Sequence, residues 1–280
     1  MMNGKMYCLI GKDVSYSPTA AMMNSAFEHL AIDAKYALEN CSDIQDAINR
    51  SSGYDGFNVT MPFKVAILGF LAELDDNAKI TGSVNTVKRS GNKLIGFNTD
   101  VTGASECLKL HLADRMLDRV LIVGNGGVAR SFIHVAYNFG AREVVIIARD
   151  PAKARELSDY VFFDRLSLDI ESLEKADASR LGRFDLAFNA TPIGSVKAET
   201  PKKIEDLVTN CDIFFDAVYR PVNTKLIIKA RAAGAEIIFG YEMLLYQAIE
   251  SFRIFTGKDA PLEVMKNTLF SILGVDHYDR

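Results

Sequence analysis

Short apolar runs alternate along the chain with longer segments whose apolar residues recur every three or four positions. In the N-terminal part, the short runs predict strands and the periodic segments predict helices. The predicted strands cover residues 6–10, 34–38, 55–59, 84–88 and 94–97. The predicted helices cover residues 20–30, 43–50 and 62–74, with Ser42 as the expected N-cap of the second. This order of elements indicates an α/β fold.

A second alternating series follows a long predicted connecting helix over residues 102–116. Its predicted strands cover residues 120–123, 144–148, 184–189, 213–218 and 236–239. The last segment, 241–273, is mostly helical and is broken at Gly257 and Pro261. We therefore expect two α/β domains, one mainly parallel and one doubly wound in the Rossmann manner, with the C-terminal helices returning to the first. The expected domains are residues 1–101 with 241–280, and residues 102–240.

Composition narrows the function classes. The chain has 280 residues, of which 49% are hydrophobic and 24% charged, so it is too apolar for a disordered protein. With 32 basic and 36 acidic residues, it lacks the positive charge typical of a nucleic-acid binder. No apolar run is long enough to predict a membrane span or a signal peptide. The four cysteines and four histidines are scattered without ligand spacing. We expect a cytoplasmic, reducing environment, buried cysteines and no metal.

Residues 120–131, VLIVGNGGVARS, read as a buried strand, a glycine turn and the start of a helix. Gly124 permits the tight turn, and Gly126 lets the backbone approach a pyrophosphate at the helix N-terminus. The small side chain of Ala129 suits close packing of the helix on the sheet. An ordinary tight turn is the alternative interpretation. The strand predicted over 144–148 favours a dinucleotide site, because it completes a βαβ unit of the expected length.

That second strand ends in Ala-Arg-Asp-Pro, residues 148–151. At such a position an acidic residue binds the adenosine ribose of NAD, whereas an arginine accommodates the 2′-phosphate of NADP. Asp150 followed by Pro151 predicts an N-cap and the first residue of a helix. Because this gives Asp150 a structural role, Arg149 is the expected phosphate ligand. The sequence therefore favours NADP, with NAD as the alternative.

Polar residues also lie near three predicted strand ends of the N-terminal domain. Asn58 and Thr60 share one face of a strand, and Lys64 follows within one helical turn. Asn85 and Asp100 lie on or just beyond the next two strands. Taken alone, a surface lysine and a capping threonine would be the simpler interpretation. Ligands of α/β proteins bind at strand ends, so the three clusters together predict a site for a polar small molecule.

Seven motifs, spread over nearly the whole chain, carry a family resemblance. They are NVTMPFK (58–64), GSVNTV (82–87), GFNTD (96–100), VGNGGVAR (123–130), FNATPIGS (188–195), DAVYRPVNT (216–224) and GYEMLLYQ (240–247). In order and spacing the chain resembles the shikimate/quinate dehydrogenase family, and shikimate dehydrogenase most. The resemblance implies reversible reduction of 3-dehydroshikimate to shikimate with NADPH, a step in the biosynthesis of chorismate and the aromatic amino acids. It also implies that the first domain binds substrate and the second binds the dinucleotide.

The resemblance assigns roles residue by residue. It implies a catalytic pair, Lys64 and Asp100. These two residues are also expected to bind the substrate, together with Ser17, Thr19, Thr60, Asn85, Tyr219 and Gln247. The expected cofactor-binding residues are Gly124, Asn125, Gly126, Gly127, Val128, Ala129, Arg149, Thr191, Val218, Gly240 and Met243. Hydride reduction of a ketone needs a proton for the oxygen, and Lys64 is the expected donor. Our hypothesis is that Lys64 and Asp100 share that proton and titrate as a pair.

One motif departs from the family pattern, which usually reads Ser-x-Ser-Pro near the N-terminus. Here the carboxylate-binding hydroxyls are either Ser15 with Ser17 or Ser17 with Thr19, and the ungapped register favours the second pair. A threonine in place of a serine adds a methyl group, so quinate and aminoshikimate stay open as substrates. A dinucleotide-sensing protein without turnover is the alternative of another class. The resemblance is compatible with a monomer or a homodimer.

Overall fold

The computed structural model describes residues 4–113, 115–160, 165–196 and 200–275. The chain forms two compact units. Unit 1 combines the chain up to Gly103 with the chain from Leu244 onward, and unit 2 is Ala104–Met243. The sequence places the domain boundaries after residues 101 and 240. Both boundaries between the units fall inside helices, Thr99–Leu112 and Gly240–Thr256, so each of these two helices has residues in both units.

The strands of the described residues divide evenly between the two units. Those of unit 1 are β1 (Lys5–Gly11), β2 (Ala34–Asn40), β3 (Gly56–Val59), β4 (Glu73–Leu74), β5 (Thr86–Ser90) and β6 (Lys93–Phe97). Those of unit 2 are β7 (Arg119–Val123), β8 (Glu143–Ala148), β9 (Ser167–Ser172), β10 (Phe184–Asn189), β11 (Cys211–Asp216) and β12 (Glu236–Phe239).

The described helices connect these strands. The first five are α1 (Thr19–His29), α2 (Ile44–Ser51), α3 (Asp76–Thr81), α4 (Thr99–Leu112) and α5 (Gly127–Asn138). The next four are α6 (Pro151–Ala154), α7 (Ala178–Leu181), α8 (Lys202–Val208) and α9 (Lys225–Ala232). The last two are α10 (Gly240–Thr256) and α11 (Leu262–Leu273). No helix of the described ranges is long and apolar enough to cross a membrane.

The sheet of unit 1 has the order β2-β1-β3-β5-β6-β4. Strand β5 runs antiparallel to β3 and β6, and the other neighbouring pairs are parallel. Because β1 and β3 are central and parallel, both end at the same edge of the sheet, near Gly11 and Val59. The start of α4 reaches the same region, since the backbone N–H of Thr99 bonds to the side chain of Asn85.

The sheet of unit 2 has the order β12-β11-β10-β7-β8-β9, and all its neighbouring strands are parallel. This is the doubly wound arrangement, in which the strand order reverses between the first and fourth strands of the unit. The register pairs Val123 with Asn189, Asn189 with Asp216, and Asp216 with Phe239. The loops that follow these four strands therefore start side by side. The α/β fold class predicted from the sequence is confirmed.

Each unit has its own hydrophobic core. In unit 1, Phe57 and Ile67 are fully buried in a cluster of side chains from β1, β3 and β5. In unit 2, Phe132 of α5 stacks on Phe188 of β10 with ring centroids 4.0 Å apart. All four cysteines are free and buried, as expected, and they lie at Cys8, Cys41, Cys107 and Cys211. The recurring apolar positions of the sequence thus correspond to core residues in both units.

The structure differs from the sequence prediction at several elements. The helix predicted over 62–74 is wrong, because the structure has only a short 3-10 helix at Ala66–Phe70. Gly69 weakens a helix there, and the backbone N–H of Ala72 bonds to β6 instead. The N-cap of α2 is Asp43, whose carboxylate accepts from the N–H of Asp46, and not Ser42. Strand β9, at the edge of its sheet, has no counterpart in the sequence prediction.

Candidate active site

An ion pair lies among the strand ends of unit 1. The ammonium of Lys64 donates to Oδ2 of Asp100 at 2.5 Å, although the two residues are 36 positions apart in sequence. Only 14% of the lysine side chain and 5% of the aspartate side chain are exposed. Lys64 lies in the turn after β3, and Asp100 is in the first turn of α4, where the helix dipole favours a carboxylate. The structure therefore joins the predicted catalytic pair directly.

Asn85 orients this carboxylate. The backbone N–H of Thr99 can only donate, and it bonds to Oδ1 of Asn85 at 2.8 Å. This contact fixes the amide, so that Nδ2 faces Asp100 and donates to its Oδ1 at 2.9 Å. The two oxygens of Asp100 are thus bonded to different partners, Asn85 on one side and Lys64 on the other. A carboxylate held in this way has one orientation before any ligand arrives.

Gln247 contacts this group, and Thr60 directly follows β3. Gln247, on α10, accepts from Nδ2 of Asn85 at 3.3 Å through its Oε1. Thr60 is half-buried, and its methyl group is packed so closely on Gly11 that a Cβ at Gly11 would clash with it. The contact explains why β1 ends in a glycine. Within unit 1 the structure thus gathers a cation, a carboxylate and two amides.

Ser17 and Thr19 are adjacent at the start of α1. The hydroxyl of Ser17 donates to Oγ1 of Thr19 at 3.0 Å and accepts from the Thr19 N–H at 3.3 Å. Thr19 is buried and Ser17 is half-buried. Ser15 is exposed, and its hydroxyl lies 3.4 Å from a carboxylate oxygen of Asp13. The geometry pairs the hydroxyls of Ser17 and Thr19 and leaves Ser15 outside that pair.

The glycine turn of unit 2 follows the central strand β7. Gly124 has φ +110°, and a Cβ there would lie 2.7 Å from Cγ2 of Thr191, so no other residue fits without strain. Gly126 is the N-cap of α5, and a Cβ there would meet no atom within 4 Å. The first N–H groups of a helix have no intrahelical partner, which makes this open N-terminus suited to an anion. Asn125, Gly127 and Val128 border it and are half-buried, and Ala129 is buried against the sheet.

Two buried polar residues shape the neighbouring loops of unit 2. Asn189, at the end of β10, accepts from the hydroxyl and the N–H of Thr191 at 2.6 and 3.1 Å. Its amide donates at 2.8 Å to Asp216, which ends β11. Asp216 also accepts from Thr224 and from the N–H of Val218. Burial raises the pKa of Asp216 to about 6 despite these three donors.

The structure separates the roles of Arg149 and Asp150. Asp150 caps α6, because its carboxylate accepts from the N–H of Lys153 at 3.1 Å, and Pro151 is the first helical residue. The predicted N-cap is therefore confirmed. Arg149 is exposed at the end of β8. Its guanidinium is available to an anion at this strand end.

The remaining predicted residues of unit 2 follow β11 and β12. Tyr219 is half-buried in the segment after β11, and Met243 is buried in α10. Gly240 is buried at the start of α10, where a Cβ would lie 2.6 to 2.7 Å from the carbonyl oxygens of residues 216–218. Gly240 is thus required by the close approach of two backbone segments, a structural role in addition to the predicted one.

Sequence reasoning did not assign a role to several residues of these networks. In unit 1 they are Thr86, Thr99 and Ser251, and in unit 2 they are Asn189 and Asp216. A polar residue that ends a strand directly after three apolar residues is the signal that could have identified Asn189 and Asp216. For Ser251 the signal is its spacing of four residues from Gln247, which puts both on one helix face.

Comparison with known proteins identifies the family. Residues 9–87 match the shikimate dehydrogenase substrate binding domain, and residues 240–270 match the shikimate 5′-dehydrogenase C-terminal domain. A shikimate dehydrogenase (NADP(+)) of Chlorobaculum tepidum is 34% identical over 96% of this chain and 96% of that protein. The chain belongs to the shikimate dehydrogenase family. A shikimate dehydrogenase (NADP(+)) of Bacillus cereus is 35% identical to this chain, over 96% of this chain and 99% of that protein.

Solved structures give the same assignment. A shikimate 5-dehydrogenase from Thermus thermophilus, in complex with NADP(H) and shikimate, has a TM-score of 0.80 and 28% identity. The match covers 96% of this chain and 100% of the Thermus thermophilus chain. A quinate dehydrogenase from Corynebacterium glutamicum, in complex with NAD, has a TM-score of 0.84 and 27% identity, with coverage of 96% and 99%. Members of this fold thus differ in the substrate and cofactor that their names state.

Proposed function

We propose that this protein is a shikimate dehydrogenase, which reduces 3-dehydroshikimate to shikimate with NADPH and catalyses the reverse reaction with NADP+. The observation that carries the proposal is the Lys64–Asp100–Asn85 group of unit 1. A buried ammonium held by an oriented carboxylate is the arrangement expected of a proton donor to a ketone oxygen. Relatives named shikimate dehydrogenase (NADP(+)) support this substrate and this cofactor.

The residues of unit 2 fit a dinucleotide. The open N-terminus of α5, beginning at Gly126, suits the pyrophosphate, and Gly124 holds the turn beneath it. Arg149 suits a 2′-phosphate, because Asp150 is committed to capping α6. We assign Thr191, Val218, Gly240 and Met243 to the nicotinamide end. When bound, the dinucleotide supplies the hydride.

The residues of unit 1 handle the proton. In the reducing direction, the ketone carbon of 3-dehydroshikimate gains a hydride, and its oxygen takes a proton from the ammonium of Lys64. Asp100 keeps the ammonium in place at 2.5 Å and compensates its charge in a site with little solvent. After the transfer Lys64 is a neutral amine, which regains a proton from solvent. In the oxidising direction this neutral amine accepts the proton of the shikimate hydroxyl.

The other polar groups of the proposed site bind and orient the substrate. Ser17 and Thr19 present two adjacent hydroxyls, which suit a carboxylate. Thr60, Asn85 and Gln247 supply a hydroxyl and two amides for the ring hydroxyls. We place the enzyme in the cytoplasm, where this biosynthetic reaction draws on NADPH, as a monomer or a homodimer.

A second substrate keeps support from the structure. Thr19 carries a methyl group at the proposed carboxylate site, and a quinate dehydrogenase is among the structural relatives. Purified protein is therefore assayed with shikimate and with quinate, each with NADP+ and with NAD+. We expect the highest kcat/KM for shikimate with NADP+. A higher value for quinate would assign the quinate activity, and the absence of nicotinamide reduction with both substrates would refute the proposal.

A further inference from the structure

The hydroxyl of Ser251 is buried at the centre of a polar network in unit 1. Ser251 lies on α10 and is 0% exposed. Its Oγ bonds to the carbonyl oxygen of Gln247, one turn earlier in the helix, at 2.9 Å. The same oxygen is 2.9 Å from Nδ2 of Asn58, 2.9 Å from Oγ1 of Thr86 and 3.2 Å from Oγ1 of Thr99. Three different elements of the unit thus meet at this one atom.

The donors and acceptors around Ser251 can be assigned. Burial raises the pKa of Tyr36 well above its usual range, so its hydroxyl stays protonated and donates to Oδ1 of Asn58 at 2.6 Å. The amide of Asn58 is thereby fixed with Nδ2 toward Ser251 and Thr86. A serine hydroxyl has one hydrogen, and that of Ser251 bonds to the Gln247 carbonyl. The Ser251 oxygen is therefore an acceptor, and its two lone pairs can take hydrogens from at most two of its three other neighbours, Asn58, Thr86 and Thr99.

This assignment connects Ser251 to the candidate catalytic group. If Thr99 donates its hydroxyl hydrogen to Ser251, its Oγ1 is left to accept from Nδ2 of Asn85, which lies 3.0 Å away. The same Nδ2 bonds to Asp100 at 2.9 Å. Ser251 also holds the helical turn that presents the side chain of Gln247 to Asn85 at 3.3 Å. Removing one hydroxyl would disturb two partners of the Asn85 amide, Thr99 and Gln247.

We propose that Ser251 is a positioning residue of the active site, which acts through Thr99 and Asn85 on Asp100 and through the α10 backbone on Gln247. The proposal rests on the proposed function, because it gives these residues their roles toward shikimate. Two residues, Thr99 and Asn85, separate Ser251 from the carboxylate of Asp100, so Ser251 need not touch substrate. Its loss should therefore weaken substrate binding and proton transfer and leave the binding of NADP+ unaffected.

The kinetic test uses Ser251→Ala in the full-length enzyme. We expect kcat/KM for shikimate to fall about 5- to 30-fold, as is typical when a buried hydroxyl is removed from a network. We expect KM for NADP+ to change less than about twofold, a split that general destabilisation would not produce. The matched control is Ser51→Ala, because Ser51 is 1% exposed and its hydroxyl bonds to the backbone carbonyl of Ile48 in α2 of the same unit. Its kcat/KM should stay within about twofold of the wild type.

A double-variant cycle separates the network from a local packing effect. Thr86→Val removes another hydroxyl of the same cluster with little change of volume. The fold-loss of kcat/KM in the double variant Ser251→Ala/Thr86→Val should be clearly smaller than the product of the fold-losses in the two single variants, because both substitutions disrupt the same bonds. Ser51→Ala combined with Thr86→Val should give the simple product. Multiplicative losses in both pairs would contradict the proposed coupling.

Hydrogen exchange gives a readout that does not depend on turnover. Backbone amides of residues 83–88 and 97–102 should exchange faster in Ser251→Ala than in the wild type, whereas Ser51→Ala should leave them unchanged. If the wild type does not oxidise shikimate, the proposed function fails, and the exchange comparison still decides whether Ser251 orders this group. The proposal is overturned if Ser251→Ala and Ser51→Ala behave alike in exchange, or if an active Ser251→Ala enzyme keeps the wild-type kcat/KM.

Discussion

The two candidate binding regions differ in the chemical groups that form them, which are mainly side chains in unit 1 and mainly backbone in unit 2. In unit 1, side chains that are distant in sequence are bonded to one another, and Lys64, Asp100 and Asn85 already hold a fixed arrangement. In unit 2, the predicted dinucleotide edge consists of backbone turns such as those at Gly124 and Gly126, with Arg149 exposed beside them. A substrate with several hydroxyls is recognised by directed side chains, whereas a pyrophosphate is held by helix N–H groups. Substitutions should therefore act on chemistry in the first region and on cofactor affinity in the second.

Lys64→Ala should break the unit 1 arrangement most completely. The variant loses the proton donor and leaves Asp100 without its cation, so kcat should fall by about 10² to 10⁴. The measurement is steady-state oxidation of shikimate with saturating NADP+. Lys79→Ala is the control, because Lys79 is an exposed lysine of α3 in the same unit, paired with Asp76. A Lys64→Ala enzyme with normal kcat and a raised KM would assign Lys64 to binding alone.

Gly124→Ala should break the backbone of the unit 2 edge. Its Cβ would combine a strained positive φ with a contact of 2.7 Å to Thr191, and we expect unfolding to become easier by about 1–3 kcal/mol. The affinity for NADP+ should fall with it. Gly234→Ala is a matched control, because Gly234 also has a positive φ, +91°, but a Cβ there meets no atom within 4 Å. Equal loss of NADP+ affinity in the two variants, measured by calorimetry, would argue against a specific role of Gly124.

Arg149→Ala should change only the choice between NADP+ and NAD+. Loss of a charge-assisted bond to the 2′-phosphate should raise KM for NADP+ about tenfold and leave KM for NAD+ nearly unchanged. The chemistry in unit 1 should be unaffected, so kcat with saturating NADP+ should persist. Arg142→Ala removes another exposed arginine of unit 2 and provides the control. If both cofactors weaken equally in Arg149→Ala, the 2′-phosphate assignment is wrong.

A smaller, pH-dependent effect should arise at His111 of unit 2. The ring nitrogens of His111 lie 2.9 Å from Glu236 and 3.1 Å from Glu242, and the bond to Glu242 contributes most to raising the pKa of His111. A histidine whose pKa is higher in the folded protein stabilises it below its unfolded pKa of about 6.5. That contribution is lost as the pH rises through the folded pKa.

Urea unfolding at several pH values measures this contribution. The free energy of unfolding of the wild type should exceed that of His111→Ala by about 1 kcal/mol at pH near 6. This difference should shrink toward alkaline pH. His29→Ala, an exposed histidine on α1, controls for loss of a histidine as such. A difference that grows as the pH rises would contradict the sign derived from the two carboxylates.

Structural features that depend on residues close together in the sequence could be predicted from it, whereas features that depend on distant residues could not. The glycine turn at Gly124 and the cap at Asp150 depend on neighbours within a few residues, and both were readable in the sequence. The helix predicted over 62–74 failed because the apolar residues after Gly69 are held by pairing with β6, a contact that local periodicity does not contain.

The candidate site shows the same limit. Motifs of the family pointed to Lys64, Asn85 and Asp100, but the bonds among them connect β3, β5 and α4. The spacing of Ser251 from Gln247 puts the two on one helix face, but only the structure shows that Ser251 bonds to residues of β3, β5 and α4. Residues that act through other residues therefore require the structure.

Transfer of a deuteride from labelled NADPH to 3-dehydroshikimate is the decisive measurement of the proposed reaction. The wild type should form shikimate carrying one deuterium on the reduced carbon, detected by mass spectrometry. Over the same time Lys64→Ala should form about 10² to 10⁴ times less labelled product. Shikimate without the label, or equal labelling by the wild type and Lys64→Ala, would contradict it.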